Sequence, residues 1–445
     1  MDITGLISSF GGVAYTFVAF IVALSIIVAV HEYGHYIVGR WCGIKALVFS
    51  IGFGPVLFSR TDKRGTVWQI AALPFGGYVK FLGDANAASG KDAEGVAEMD
   101  EATLRQSMHG APVWARAATA AAGPVFNFIM SILVFGAVIM ARGQAIDPPT
   151  IASIKPLPAA IGELRDGDAI LSIAGVDVGD FEQFYEAIED MPVRAPLDYR
   201  VLRDGQEVVV DGPYPFPALV AGVQPDSAAL DVGIEVGDVI VSADGQPIAA
   251  FSQLQDIVMA SEGKPIVTEV WRNGELLEFV LVPRKRDLPL GDGGFETRWL
   301  IGATGGLFFE AETASPGPLG ALQFGVSQTG YIIQSSLSGL YHMVAGAIST
   351  CNLRGPLGIA ETSAVAASQG ISTFVWFVAV LSTAVGLLNL FPIPILDGGH
   401  LVFHAYEAVR GKPPSDRAMQ FLMTLGLALM LMVMLFSISN DLFCQ

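Results

Sequence analysis

Four long apolar stretches divide the sequence into membrane-crossing and polar parts. They cover residues 13–30, 117–140, 371–391 and 419–438, and none of them contains Asp, Glu, Lys or Arg. A helix needs about 20 apolar residues to cross a bilayer. The first stretch has neither a basic segment before it nor a small-residue cleavage site after it, so we interpret it as a retained span and not as a signal peptide. The pattern predicts a multi-spanning α-helical membrane protein with four transmembrane helices.

Basic residues are distributed unevenly around these spans. The loop between the first and second spans carries nine Lys and Arg residues, whereas residues 1–30 carry none. The short loop between the third and fourth spans carries Arg410, Lys412 and Arg417, and the tail after it carries none. Because positive charge favours the cytoplasmic side, both termini and residues 142–370 should lie outside, in the periplasm of a Gram-negative cell. We expect a multi-pass inner-membrane protein.

A further segment, residues 313–353, also has no Asp, Glu, Lys or Arg but is rich in Ser, Gln and Gly. We predict a helix that lies on the membrane surface or packs against the spans. A fifth crossing here would place His31 and Asp397 on opposite sides of the bilayer.

The polar insertion contains an internal repeat over residues 150–285. Gly167-Asp168 in the first copy matches Gly237-Asp238 in the second, and an Arg-x-Gly turn follows later in each. Each copy predicts a short helix, a Gly-Asp turn, an apolar strand, a tight turn and a second helix. This order resembles a PDZ domain of the kind found with bacterial proteases. PDZ domains bind extended peptides at a sheet edge; a pair that only packs or excludes, with no ligand in the groove, is the alternative.

The candidate chemistry begins where the first span ends, in the sequence HEYGH. His31 and His35 are four residues apart, so on a helix they share one face and can bind one zinc ion. Glu32 lies beside the first ligand and can serve as a general base that activates water. Three ionisable groups at membrane depth are costly, which favours a functional role over an interfacial cap.

Zinc hydrolases usually use three protein ligands, and the third is sought at the end of the third span, in NLFPIPILDGGH. Asp397 lies there on the same predicted side as the two histidines, after the helix-breaking Pro392 and Pro394. His400 is the rival ligand, and spacing alone does not separate the two.

These motifs together resemble the site-2 protease family. HEYGH, the GPVFN that begins the second span, the tandem PDZ-like repeat and NLFPIPILDGG carry the resemblance over almost the whole chain. It implies zinc as the cofactor, His31, His35 and Asp397 as its ligands, and Glu32 as the catalytic base. His400 would then be a packing residue or a neighbour of the ligands, and Asn389 would hold the substrate backbone.

The resemblance also implies a membrane-associated β-hairpin between the first two spans, where an ordinary hairpin is the alternative. Its edge at Gly76, Gly77 and Tyr78 would pair with an unwound substrate. The expected domains are a first catalytic membrane half (1–141), PDZ domains 1 (142–212) and 2 (213–288), both of them α+β, a periplasmic membrane-associated segment (289–370) and a second catalytic membrane half (371–445).

Composition narrows the range of partners. The chain is 52% hydrophobic and 15% charged, its mean hydropathy is +0.52, and its net charge is −18. Nucleic acid is excluded as a partner because phosphate binding needs clustered basic residues, whereas the lipid bilayer is expected. The widely spaced Cys42, Cys351 and Cys444 predict three free thiols. The acidic, Ala-rich residues 84–106 predict a flexible linker.

The sequence therefore predicts a zinc metalloendopeptidase that cleaves transmembrane segments of single-span proteins after a first periplasmic cut. The resemblance implies a membrane anti-sigma factor and remnant signal peptides as substrates, with the PDZ pair as a size filter. The alternative is a PDZ-bearing membrane scaffold or chaperone with a structural metal, which would have no need of Glu32. A serine protease is excluded for lack of a GxSxG motif or a plausible triad.

Overall fold

The computed structural model describes residues 3–85, 93–158, 162–189, 191–290 and 294–444. The helices are α1 (Ile3–Trp41), α2 (Ala93–Ala97), α3 (Glu101–Arg105), α4 (Val113–Arg142), α5 (Phe181–Glu189), α6 (Ala228–Asp231), α7 (Phe251–Ala260), α8 (Gly317–Val344), α9 (Pro356–Ser368), α10 (Ile371–Asn389), α11 (Asp397–Arg410) and α12 (Asp416–Phe443). The strands are β1 (Ala46–Thr61), β2 (Val67–Phe81), β3 (Gln144–Ala145), β4 (Ile151–Ile154), β5 (Ala169–Ile173), β6 (Val176–Asp177), β7 (Leu197–Arg203), β8 (Gln206–Gly212), β9 (Val220–Val223), β10 (Val239–Ala243), β11 (Gln246–Pro247), β12 (Ile266–Arg272), β13 (Glu275–Leu281), β14 (Arg284–Pro289), β15 (Phe295–Leu300), β16 (Ala303–Gly305), β17 (Phe309–Ala311) and β18 (Thr313–Ala314).

The chain forms two compact units. The first comprises residues 1–138, 318–340 and 350–445, and the second comprises residues 139–317 and 341–349. In the described residues, the four helices that are long and apolar enough to span a membrane are α1, α4, α10 and α12, and all of them belong mainly to the first unit. The predicted spans are thus confirmed as helices. The helix α1 continues past the predicted end of its span, so HEYGH lies inside this helix.

Small residues bring the spanning helices of the first unit close together. A Cβ atom on Gly34 of α1 would lie 2.5 Å from the carbonyl oxygen of Ala122 in α4, and one on Gly386 of α10 would lie 3.1 Å from that of Pro124. Only glycine allows backbones to approach so closely. These contacts fix α4 between α1 and α10.

The strands β1 and β2 form a bent antiparallel sheet in the first unit. Residues 48–51 of β1 pair on one side with residues 67–70 and on the other with residues 77–80. The 67–71 segment also pairs with residues 56–61. Residues 77–80 therefore form an edge strand. At the other end of the hairpin, Leu57 and Phe58 are 71% and 62% exposed.

The uncharged segment 313–353 contains α8, which packs against a span as predicted. A Cβ atom on Gly136 of α4 would lie 3.0 Å from the carbonyl oxygen of Ala321, and one on Gly325 of α8 would lie 2.2 Å from that of Ile132. Glycines on both helices therefore allow this close packing.

The second unit contains two four-stranded sheets with matching strand order. The first runs β6-β5-β7-β8 and the second runs β11-β10-β12-β13. Each sheet has one amphipathic helix after its second strand, α5 in the first and α7 in the second. Each has a separate hydrophobic core: Phe184 and Tyr199 are fully buried in the first, Ile240 and Val270 in the second.

The repeated Gly-Asp pair has the same structural role in both copies. Asp168 is buried, accepts a hydrogen bond from the backbone of Arg165, and forms a two-pronged ion pair with Arg203. Asp238 does the same with the backbone of Glu235 and with Arg272. A buried carboxylate needs such a partner, which explains why Asp and Arg recur together.

A single segment forms a two-stranded sheet with each repeat of the second unit. The strand β16 pairs with β9 of the second repeat, and β17, a few residues later, pairs with β4 of the first. Between them, Leu307 and Phe308 enter the core of the first repeat. We call residues 301–314 the shared segment. Its last strand, β18, pairs with β3 directly after α4.

Two local predictions are wrong. Cys351 and Cys444 form a disulfide across a Cα–Cα distance of 5.5 Å, and only Cys42 is a free thiol. The two cysteines are far apart in sequence, so the pairing depends on tertiary structure. The predicted linker contains the short helices α2 and α3, and its first residue, Asp84, is buried. Residues 86–92 of that linker lie outside the described residues.

Candidate metal centre

The helix α1 presents the two histidines of HEYGH to the interior of the first unit. His31 is 9% exposed, and the Nε2 atoms of His31 and His35 are 3.1 Å apart. The nearby α4 makes room for both rings, because a Cβ atom on Gly123 would lie 2.4 Å from His35 Nε2 and 2.7 Å from His31 Nε2. The glycine of GPVFN therefore allows α4 to pass directly against the two imidazoles.

Asp397, the first residue of α11, reaches the same point from the other half of the chain. Its Oδ2 lies 3.1 Å from His31 Nε2, and its Oδ1 lies 3.5 Å from His35 Nε2. Cβ atoms on Gly398 and Gly399 would each lie 2.3 Å from a carbonyl oxygen of the preceding loop. The two glycines thus let the loop fold back on the start of α11 and aim the carboxylate inward.

The donor atoms of these three residues lie within 4.8 Å of one another, the one such group of potential metal ligands in the described ranges. Two imidazole nitrogens and a carboxylate are a donor set that zinc takes in hydrolases. The Nδ1 of His35 lies 2.8 Å from the carbonyl oxygen of Thr119. Such a contact holds the ring with Nε2 facing the ligand position, as metal-binding histidines require. The site therefore fits zinc.

Glu32 lies next to the ligands and is held by the edge strand of β2. Its carboxylate is hydrogen-bonded by the backbone of Val79. A Cβ atom on Gly77 would lie 3.1 Å from Glu32 Cγ and 2.7 Å from the carbonyl oxygen of Ser50. Glycine at this position lets the strand pass close to the carboxylate.

A cavity of about 460 Å³ opens onto these groups. Gly77, Tyr78 and Asn389 line it together with the three ligands and Glu32, whereas Gly76 does not. Gly76 instead faces the ring of Phe53, where a Cβ atom would be 2.5 Å from the ring. His400 lines the cavity one turn beyond Asp397 in α11. The described structure brings together all the predicted site residues except Gly76.

The sequence patterns did not identify Asn127 or Thr119. In the structure, Asn127 contacts Nδ1 of His31, and Thr119 contacts Nδ1 of His35. Asn127 ends the GPVFN motif and could have been found there. Thr119 contributes only its backbone carbonyl, so no side-chain pattern marks it.

An ion pair connects the start of α4 to α11, the helix that carries Asp397. Arg116 donates to both carboxylate oxygens of Glu407, at 2.9 and 2.7 Å, and both side chains are mostly buried. Burial and the nearby guanidinium of Arg116 lower the pKa of His404 to about 4, so His404 is neutral at pH 7. The charge of Glu407 is therefore balanced by Arg116 and not by this histidine.

Comparison with known proteins agrees with this site. The family described as "Peptidase family M50" matches residues 19–433. A protein of Agrobacterium fabrum named "Putative zinc metalloprotease" is 35% identical over 428 residues, covering 95% of this chain and 94% of that protein. The regulator of sigma-E protease RseP of Salmonella typhimurium is 33% identical over 457 residues, covering 96% of this chain and 98% of that protein.

The matches extend over nearly the whole chain and include both membrane halves that supply the candidate ligands. The chain therefore belongs to peptidase family M50, the site-2 protease family, and is an intramembrane zinc metalloprotease.

Proposed function

We propose that this protease cleaves the transmembrane segments of single-span proteins after a first cut in the periplasm. The observation that carries the proposal is the position of Glu32. It lies between the His-His-Asp group and the edge strand of β2, in a cavity lined by residues of the spanning helices α1, α4, α10 and α12 together with β2 and α11. By the resemblance described above, a membrane anti-sigma factor and remnant signal peptides are the proposed substrates.

In the proposed reaction, His31, His35 and Asp397 hold zinc, and Glu32 is the general base. When bound, zinc polarises a peptide carbonyl and acidifies water. Glu32 accepts the proton from water and passes it to the leaving amine. Its hydrogen bond to the backbone of Val79 keeps the carboxylate oriented towards the cavity.

The edge strand at Gly77 and Tyr78 would bind the substrate as an added strand. Helical substrate hides its backbone groups in internal hydrogen bonds, so it must be extended before cleavage. In the described part of the chain, residues 77–80 pair with β1 on one side only. The free edge can therefore replace hydrogen bonds that the substrate loses on unwinding. Asn389, which also lines the cavity, would hold the substrate backbone.

We also propose that the two repeats are PDZ domains that face the periplasm, and that both termini lie on that side of the inner membrane. The support is the matched sheet order of the repeats and the clustering of Lys and Arg in the loops between the first and second and the third and fourth spans, with none before residue 40 or after residue 417. The pair would exclude substrates whose outer domain has not been removed.

Replacement of Glu32 by Gln tests the proposed chemistry. Glu32→Gln should keep zinc, because the three ligands remain, and should lose about 10²–10⁴-fold or more in cleavage rate, because the base is gone. Zinc content and cleavage of a purified single-span substrate in detergent give the two readouts. A variant that retains wild-type turnover would refute the role of Glu32.

The alternative function, a membrane scaffold with a structural metal, predicts that Glu32→Gln has no effect on substrate levels. Comparison of the membrane proteomes of cells with wild-type protein and with Glu32→Gln separates the two functions. The protease predicts that single-span fragments accumulate only in the mutant, and these fragments identify the substrates.

A further inference from the structure

Asn127 is buried in α4, next to the ring nitrogen of His31 that faces away from Asp397. It is fully inaccessible, and its side-chain Nδ2 lies 3.2 Å from Nδ1 of His31. Its side-chain oxygen, Oδ1, is also buried and has no hydrogen-bond partner. A buried amide oxygen without a partner costs about 1–3 kcal/mol, so this arrangement requires an explanation.

His35 shows which proton arrangement the metal site needs. Its Nδ1 faces the carbonyl oxygen of Thr119, which can only accept a hydrogen bond, so Nδ1 carries the proton. Its Nε2 is then free to bind a metal. The Nε2 of His31 faces the same point, 3.1 Å from Asp397, and must likewise be unprotonated. His31 Nδ1 therefore carries a proton and needs an acceptor.

The amide nitrogen of Asn127 cannot accept this hydrogen bond, because it is itself a donor. The oxygen and nitrogen of an Asn side chain have the same shape, and their assignment follows from hydrogen bonding. A half-turn of the amide brings Oδ1 to the Nδ1–H of His31. This gives both the unpartnered oxygen and the ring proton a partner.

We propose that Asn127 is a positioning residue for the metal site: its amide oxygen accepts the Nδ1–H of His31 and holds the ring in the tautomer that can bind zinc. The inference rests on the proposed role of His31 as a ligand. Mutation of a polar partner of a ligating histidine typically lowers metal affinity by about 10–100-fold.

The backbone of Asn127 is firmly placed, which lets the side chain act in this way. Its carbonyl oxygen accepts a hydrogen bond from Ser382 of α10 at 3.0 Å. Ser131 Oγ lies 3.0 Å from the same oxygen and 2.8 Å from the carbonyl oxygen of Ala379. The serine contacts connect α4 to α10 without touching His31, and Ser382→Ala is therefore a matched control.

The test measures zinc affinity of the purified full-length chain by competition with a coloured chelator. Asn127→Leu keeps a similar volume but has no acceptor, and we expect it to bind zinc about 10–100-fold more weakly. Asn127→Asp keeps an oxygen acceptor and should bind at least as tightly as wild type. Ser382→Ala should stay within about threefold, since it alters only a backbone contact.

Cobalt substitution gives a second readout that general destabilisation would not imitate. The visible absorption of bound Co²⁺ should be kept in Asn127→Asp and weakened in Asn127→Leu at equal protein and metal. If Asn127→Asp loses zinc as severely as Asn127→Leu, or if Asn127→Leu binds zinc like wild type, the inference is wrong. If wild type binds no zinc, or Asp397→Ala binds it unchanged, the proposed ligand set fails instead.

Discussion

At the scale of single residues, the position of Asp397 depends on close packing around it. Its carboxylate meets both histidines because Gly398 and Gly399 leave room for the preceding loop. His400 lines the same cavity, but its ring packs against Phe403, with ring centroids 6.1 Å apart. These contacts favour Asp397 over His400 as the proposed third ligand.

Metal content distinguishes the two residues. Asp397→Ala should lose most of the bound zinc, because it removes one of three ligands, whereas His400→Ala should retain it. Elemental analysis of the two purified variants measures the outcome, with wild type and Glu32→Gln as zinc-bound controls. Loss of zinc from His400→Ala alone would make His400 the third ligand.

At this scale, the proximity of side chains could be predicted where the residues are close in sequence. The spacing of His31 and His35 on one helix turn is enough to predict that they meet. The placement of Asp397 needed the predicted sides of the membrane and the resemblance to a family. The contact between Asn127 and His31 arises from the packing of α4 on α1, which no sequence spacing encodes.

At the scale of elements, the C-terminal end of α12 is bonded to the segment before α9. The disulfide Cys351–Cys444 joins them, and Asn440 donates to the carbonyl oxygen of Thr350 at 2.7 Å. The carboxylate of Asp441 accepts hydrogen bonds from three backbone N–H groups at the start of α9, those of Gly355, Leu357 and Gly358. An acidic side chain at a helix N-terminus is favourable.

The disulfide should contribute measurably to stability in detergent. A bridge across a long loop typically contributes about 2–4 kcal/mol, so Cys351→Ser should lower the melting temperature. Cys42→Ser removes the free thiol and is the matched control, expected to melt like wild type. Wild-type protein treated with a reductant should behave like Cys351→Ser. Equal melting of all four samples would show that the bridge does not form.

Sequence patterns predicted the spanning helices but not the disulfide between Cys351 and Cys444. Uninterrupted apolar runs identify the spans because the bilayer demands them. The helix α1 continues through HEYGH, as the spacing of its histidines predicts, and contacts from α4, β2 and α11 accommodate the polar groups beyond the apolar run. The disulfide was missed because its cysteines lie 93 residues apart.

At the scale of the whole molecule, the shared segment pairs with both repeats and so connects them. It supplies β16 to the second repeat and β17 to the first. Removal of residues 150–284 would therefore leave these strands without partners. The pairing of β3 with β18 offers better cut points, since Ala145 lies opposite Thr313. A short Gly-Ser linker can connect Gly143 to Ser315.

This deletion tests the proposed size filter. The shortened enzyme should keep its zinc, because all three ligands lie in the first unit. If the repeats exclude untrimmed substrates, it should also cleave a full-length single-span substrate in cells that lack the first-cut protease. An immunoblot of that substrate gives the result, with Glu32→Gln in the shortened enzyme as the inactive control.

A shortened enzyme that cleaves a pre-trimmed substrate but leaves the full-length one intact would refute the filter and leave the protease assignment in place. A deletion of residues 150–284 alone should express poorly, because Leu307 and Phe308 would lose the core they occupy.

The shared segment also sets an order of events during synthesis. Domains generally fold as units, those nearer the N-terminus first, as the chain emerges. Here the first repeat cannot bury Phe309 or pair β4 until the second repeat has already been made. The first repeat should therefore remain incomplete on the ribosome while the second repeat is translated. A nascent chain arrested before residue 301 should be protease-sensitive in both repeats, and one arrested beyond α8 should be resistant in both.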